Sequence, residues 1–120
     1  HMTGEVREFV EEKSRELMES ATCSAEAREA AKAWLEAAGT PAEAEETKRY
    51  LEELKADIVT VDGLIAFAES EAGAKVFGGA DKAKGVAQHG REIKAAGAVY
   101  CDCPACAAVE AILKRESEML

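Results

Sequence analysis

Signals for starting a helix recur along this chain, and each is followed by apolar residues three and four apart. That punctuation restricts the fold more than any other feature of the sequence. Thr3 stands where an N-cap belongs, ahead of Val6, Phe9, Val10, Leu17 and Met18, and the pattern stops near Ser20. Ser24 opens a second helix with Ala27, Ala30, Ala31, Trp34 and Leu35 on one side, closed by Gly39. Thr40 and Pro41 supply a cap followed by proline at the first helical position, and Glu43 is placed to complete a capping box. The third helix then turns Ala44, Thr47, Tyr50, Leu51 and Leu54 inward. Thr60 starts a fourth, with Val61, Leu64, Ile65 and Ala68 inward, ending near Gly73. A fifth is expected over about 81–96, closed by Gly97, and Cys103-Pro104 opens a sixth with Ala105, Ala108, Val109, Ile112 and Leu113 as its stripe.

Alanine and glutamate dominate, there are two prolines, and the one β-branched run is Ile58-Val59-Thr60-Val61. The expected class is all-α: a compact up-and-down bundle of five to six short helices, with residues 3–120 as a single domain. His1 and Met2 read as a tag remnant. Alanine stripes, with Gly85 and Gly90 in the fifth helix, let neighbours approach closely, and Trp34, Phe9, Phe67, Phe77 and Tyr50 fill the larger gaps. The connections are short, so successive helices reverse direction.

The 120 residues carry 24 acidic against 15 basic side chains, a formal net charge of -9. Nucleic acid and anionic membrane surfaces need a positive footprint, so neither is expected as a partner. No run approaches the ~20 apolar residues of a membrane span, and the expected location is the cytoplasm. Thiols in a reducing compartment serve more often as metal ligands or redox groups than as permanent cross-links.

The chemistry concentrates in "AVYCDCPACAAVEAIL", residues 98–113, which holds Cys101, Cys103 and Cys106; the fourth cysteine is Cys23. Three thiols in six residues have no packing explanation. If every helix reverses, Cys23 and the triplet fall at the same end of the bundle, and one four-thiolate site can form there. Cys23 precedes the cap of the second helix, and Cys103 and Cys106 open the last. Helix N-termini carry unpartnered N–H groups and the positive dipole end, so these thiols are expected to ionise readily. Cys103-Pro104-Ala105-Cys106 is a CxxC knuckle of the zinc type. The CxCxxC triplet with one remote cysteine fits a [4Fe–4S] cluster somewhat better, and that cluster is the favoured cofactor, with zinc as the alternative. Tyr100 and Asp102 flank the ligands, the first placed to shield the cofactor and the second to alter its charge.

Two other readings stay open. CPAC at a helix N-terminus is also the arrangement of thiol–disulfide exchange proteins, with Cys101 or Cys23 resolving, although those proteins carry a βαβ pattern that is absent here. An interaction module with incidental thiols is the third. A redox or metal-handling protein is the partner a metal site implies, and an exposed alanine-rich stripe would serve a homodimer. His89 shares a helical face with Val86 and Ile93 and is expected to point inward. It lies eight residues before Gly97, about 12 Å along a helix, and so is not expected to reach the cysteines. Ser–His–Asp elbows, phosphate-binding loops and the Glu-x-x-His pairs of di-iron bundles are missing, and no motif assigns an enzymatic activity.

The runs "LIAFAESEAGAKVFG" and "IKAAGAVYCDCPACAAVEAIL", with "AWLEAAGT" before them, resemble a group of small all-helical, cysteine-containing proteins of anaerobic bacteria. The resemblance covers nearly the whole chain. The group has no established function, though some members carry a heat-shock chaperone label. It implies a small helical fold and an anaerobic setting, in which an iron–sulfur cluster is at home.

Overall fold

The computed structural model of the chain describes residues 1–120. It is all-α, as the punctuation predicts, with eight helices: α1 (Gly4–Glu19), α2 (Ala25–Ala37), α3 (Glu43–Asp57), α4 (Val61–Ala68), α5 (Glu71–Val76), α6 (Ala80–Ala95), α7 (Pro104–Leu113) and α8 (Glu116–Met119). They fall into two compact units. One comprises His1–Ile58 with Asp102–Leu120, and the other Val59–Cys101.

In the first unit α1 packs on α2 and α7, and α3 packs on the same two helices, so the four close into a ring. Its core is drawn from the predicted positions, Val6, Val10, Leu17, Ala27, Ala31, Trp34, Tyr50, Leu51, Leu54, Ala105, Ala108, Val109 and Ile112, joined by Met2 and Met119, while Phe9, Met18, Ala30, Leu35 and Leu113, also expected inward, are only partly buried. Two polar pairs cross this core. The Trp34 indole N–H donates to Thr47 Oγ1 at 2.9 Å, and Ser14 Oγ lies 2.7 Å from the Tyr50 hydroxyl. Such pairs are expected inside a core, because an unmade hydrogen bond there costs more than a made one contributes. Burial pushes the Tyr50 phenol up to about 12, so it keeps its proton across the ordinary pH range. Ala44 is exposed and not inward, since α3 begins only at Glu43.

The caps follow the sequence closely. Thr3, Ser24 and Thr60 accept from the N–H groups of Val6, Ala27 and Gly63 at 3.2, 3.1 and 3.0 Å. The expected capping box at Thr40 is displaced. Ala42 is the N-cap, Thr40 donates its hydroxyl to Ala37 O at 2.6 Å, and Glu43 reaches back to Gly39 N–H at 2.9 Å. Glu43 also pairs with Arg7, which holds its carboxyl below the usual range.

In the second unit α6 packs on α4 and α5. The helix expected to run to Gly73 is two helices. α4 ends at Ala68, and Ser70 caps α5 by accepting from Gly73 N–H at 3.0 Å. Gly73 makes the break so tight that a Cβ there would lie 1.8 Å from Phe67 O. Gly90 is buried with Ile65 against it, as predicted, whereas Gly85 has open space around it. Trp34 and Tyr50 fill the core as expected, but Phe67 is 40% exposed and only meets Phe77 edge-on at 5.9 Å. His89 also departs from expectation. Ala83, Ala87 and Gly90 form the inward stripe of α6, which leaves His89 on the exposed side.

Replacing Gly73 with alanine forces a carbonyl and a methyl into the same space, where no side chain can yield. Gly73→Ala is expected to cost about 1–3 kcal/mol or more, read as a lower denaturant midpoint. A midpoint equal to wild type would show that the α4–α5 break is not rigid.

Candidate metal centre

The cysteine group is built from two local structures. The first is a short pairing made by the β-branched run. Val61 N–H donates to Val99 O and Cys101 N–H donates to Val59 O, both at 2.9 Å, with Thr60 opposite Tyr100 in an antiparallel bridge. This fixes the backbone at Cys101, which is 7% exposed. The second is the start of α7. Cys103 is its N-cap, and its sulfur accepts from Cys106 N–H at 3.4 Å. Pro104 occupies the first helical position, where a missing N–H removes no hydrogen bond. Helical spacing then turns Cys106 inward, also 7% exposed, beside Ala105 and Val109.

The result is that the sulfurs of Cys101, Cys103 and Cys106 all lie within 4.8 Å of one another. Two of the three residues are buried and Cys103 is half-buried. Thiolates converging in low-exposure surroundings are what a thiophilic cation requires.

Cys23 is not part of this group of three. The reversal argument nevertheless holds within the first unit. Thr22 Oγ1, one residue before Cys23, donates to Cys103 Sγ at 3.3 Å. The start of α2 and the start of α7 are therefore at the same end. Cys23 itself is half-buried, packs against the core, and donates its S–H to Ser24 O at 3.3 Å. The expectation of an easily ionised Cys23 is overturned: burial pushes its thiol up, outweighing the opposing pull of Arg28, and Asp57 adds a smaller push in the same direction. Cys23 sits just outside α2, so the N-terminal field does not outweigh its partial burial.

Asp57, in the last turn of α3, was not singled out by the sequence. Its Oδ2 is buried and makes no hydrogen bond. Burial, then a hydrogen bond and repulsion from Glu53, and repulsion from Glu26 push this carboxyl up to about 7. Nothing in the run "EELKAD" distinguishes Asp57 from the solvated acids around it; only packing does. Of the two flanking candidates, Tyr100 is half-buried in the bridge and Asp102 is exposed.

No known protein family, curated protein or solved structure matches the chain.

The Asp57 shift has a signed consequence for stability. Its folded pKa of about 7 lies above the ordinary 3.8, so the folded state binds this proton more tightly than the unfolded chain does. Stability is therefore lost as pH rises between these two values. In metal-free protein, Asp57→Asn is expected to melt a few degrees above wild type at pH 8, with the gap closing towards pH 4. Thermal melts across that range check this; a gap independent of pH would contradict it.

Proposed function

We propose that the chain is a metal-binding protein whose Cys101, Cys103 and Cys106 together hold one thiophilic metal centre. The observation that carries this reading is the convergence of three sulfurs within 4.8 Å. The same distance supports a single tetrahedral ion of the zinc class. Metal–sulfur bonds of about 2.3 Å space tetrahedral thiolates about 3.8 Å apart, so the group closes on one ion with small side-chain movements. A cubane cluster attaches each thiolate to a different iron and asks for a wider set. The CxCxxC spacing with a remote cysteine is what speaks for the cluster.

The surroundings suit coordinated sulfur. Cys103 Sγ accepts from Thr22 Oγ1 and from Cys106 N–H, and such outer donors orient a ligand and spread its charge. Cys101 is set by a backbone bond and Cys106 by α7, so little order has to be created on binding. The acidic chain adds a field that favours cations. A redox pair formed by the same thiols is the competing reading, but it does not use the third cysteine's convergence.

Anaerobic purification followed by elemental analysis and absorption spectroscopy tests this. The expected result is one zinc-type ion per chain, lost in Cys103→Ser and in Cys106→Ser. About four irons per chain with broad visible absorption would replace the single ion by a cluster. Metal-free protein that refuses added zinc would end the metal reading. Thr22→Val is expected to keep the stoichiometry and weaken affinity by about ten-fold, measured by competition with a chromophoric chelator.

A further inference from the structure

Three sulfurs leave a tetrahedral ion one position short. We infer that Cys23 takes this fourth position as an exchangeable ligand, so that the centre loads and hands over its ion and does not hold it as a permanent cross-link. The inference rests on the three-cysteine metal reading above.

Two observations meet at the turn between α1 and α2. Thr22 already touches Cys103 Sγ at 3.3 Å, which brings the neighbouring residue to the edge of the cysteine group. Cys23 has its sulfur on the carbonyl of Ser24 at 3.3 Å, a weak and replaceable partner for a thiol.

The difference between the ligands is in how they are held. Cys101 is fixed by a backbone hydrogen bond, and Cys103 and Cys106 by the first turn of α7. Cys23 belongs to no helix and lies before the cap of α2. In this arrangement the Cys23 side chain turns from Ser24 towards the three sulfurs, one residue from the Thr22 contact with Cys103. The exchange moves no electrons. As the Cys23 sulfur–metal bond forms, the S–H proton passes to solvent and the hydrogen bond to Ser24 breaks. When a thiol-bearing acceptor offers its own sulfur, that bond replaces the bond to Cys23, which takes up the acceptor's proton; further acceptor thiols then displace Cys101, Cys103 and Cys106 in the same way before the ion leaves.

Cobalt(II) in place of zinc reads the ligand set directly, because its visible bands move with each thiolate replaced by oxygen. The full chain is loaded with cobalt(II) alone, in wild type, Cys23→Ser and Cys23→Ala. Wild type is expected to give a four-thiolate spectrum, and both variants a three-thiolate spectrum at unchanged one-to-one stoichiometry. Zinc-loaded wild type is expected to release its ion to excess chelator at a rate that rises with chelator concentration. Loss of one ligand is expected to speed that release at least about ten-fold. Identical cobalt spectra in wild type and Cys23→Ser would overturn the role of Cys23. Release that is independent of chelator and no faster than global unfolding would overturn handover. Wild type that binds no cobalt at all would instead remove the three-cysteine reading beneath it.

Discussion

The contact on which the site depends is a capping interaction made by sulfur. Cys103 Sγ accepts from the Cys106 N–H at 3.4 Å and so performs for α7 what Ser24 and Thr60 perform for their helices. A thiol is a poorer acceptor than a hydroxyl, and its use as a cap costs helix stability. The return is placement. The cap position aims Cys103 along the helix start, the CxxC spacing brings Cys106 back over it by one turn, and Pro104 keeps the approach extended. Helix start and cysteine group are one structure, so neither can be altered alone.

Around that start the chain is arranged to limit movement. Cys101 is paired to Val59 by its N–H, and Thr22 donates to the Cys103 sulfur from the opposite side in sequence. The ring of α1, α2, α3 and α7 beneath is close-packed, with Trp34 stacked on Tyr50 at 5.8 Å between centroids and both polar ends satisfied. Rigid support of this kind sets the positions at which the three sulfurs converge. Asp57 is the exception: a carboxylate kept half-buried beside acids of the same sign. Such a group lowers stability at neutral pH, because burial and like charge both oppose its ionisation.

The punctuation of the sequence was enough for the helix starts, because caps are local. Thr3, Ser24, Thr60 and Cys103 each satisfy an N–H three residues on, and that capping bond involves no distant residue. It was not enough at Thr40, where Arg7 of another helix draws on Glu43 and the box shifts. Nor was it enough for His89. The apolar residues of α6 fit two overlapping stripes, and contact with α4 selects the one through Ala83, Ala87 and Gly90. The break between α4 and α5 was carried by Gly73 and Ser70, but a glycine in a helical pattern does not reveal that a carbonyl occupies the space of its missing methyl.

Composition and spacing by themselves determined that this chain is helical, where most of its helices begin, and that three thiols lie within one turn of a helix start. Those are short-range matters, settled by backbone hydrogen bonding and the 3.6-residue period. Tertiary structure alone decided that the three sulfurs point at one another, that Thr22 reaches Cys103 while Cys23 turns to Ser24, and that one oxygen of the half-buried Asp57 carboxyl is buried without a hydrogen-bond partner. Side-chain direction, desolvation and the orphaning of a polar atom depend on which surfaces meet, and no window of neighbouring residues contains that information.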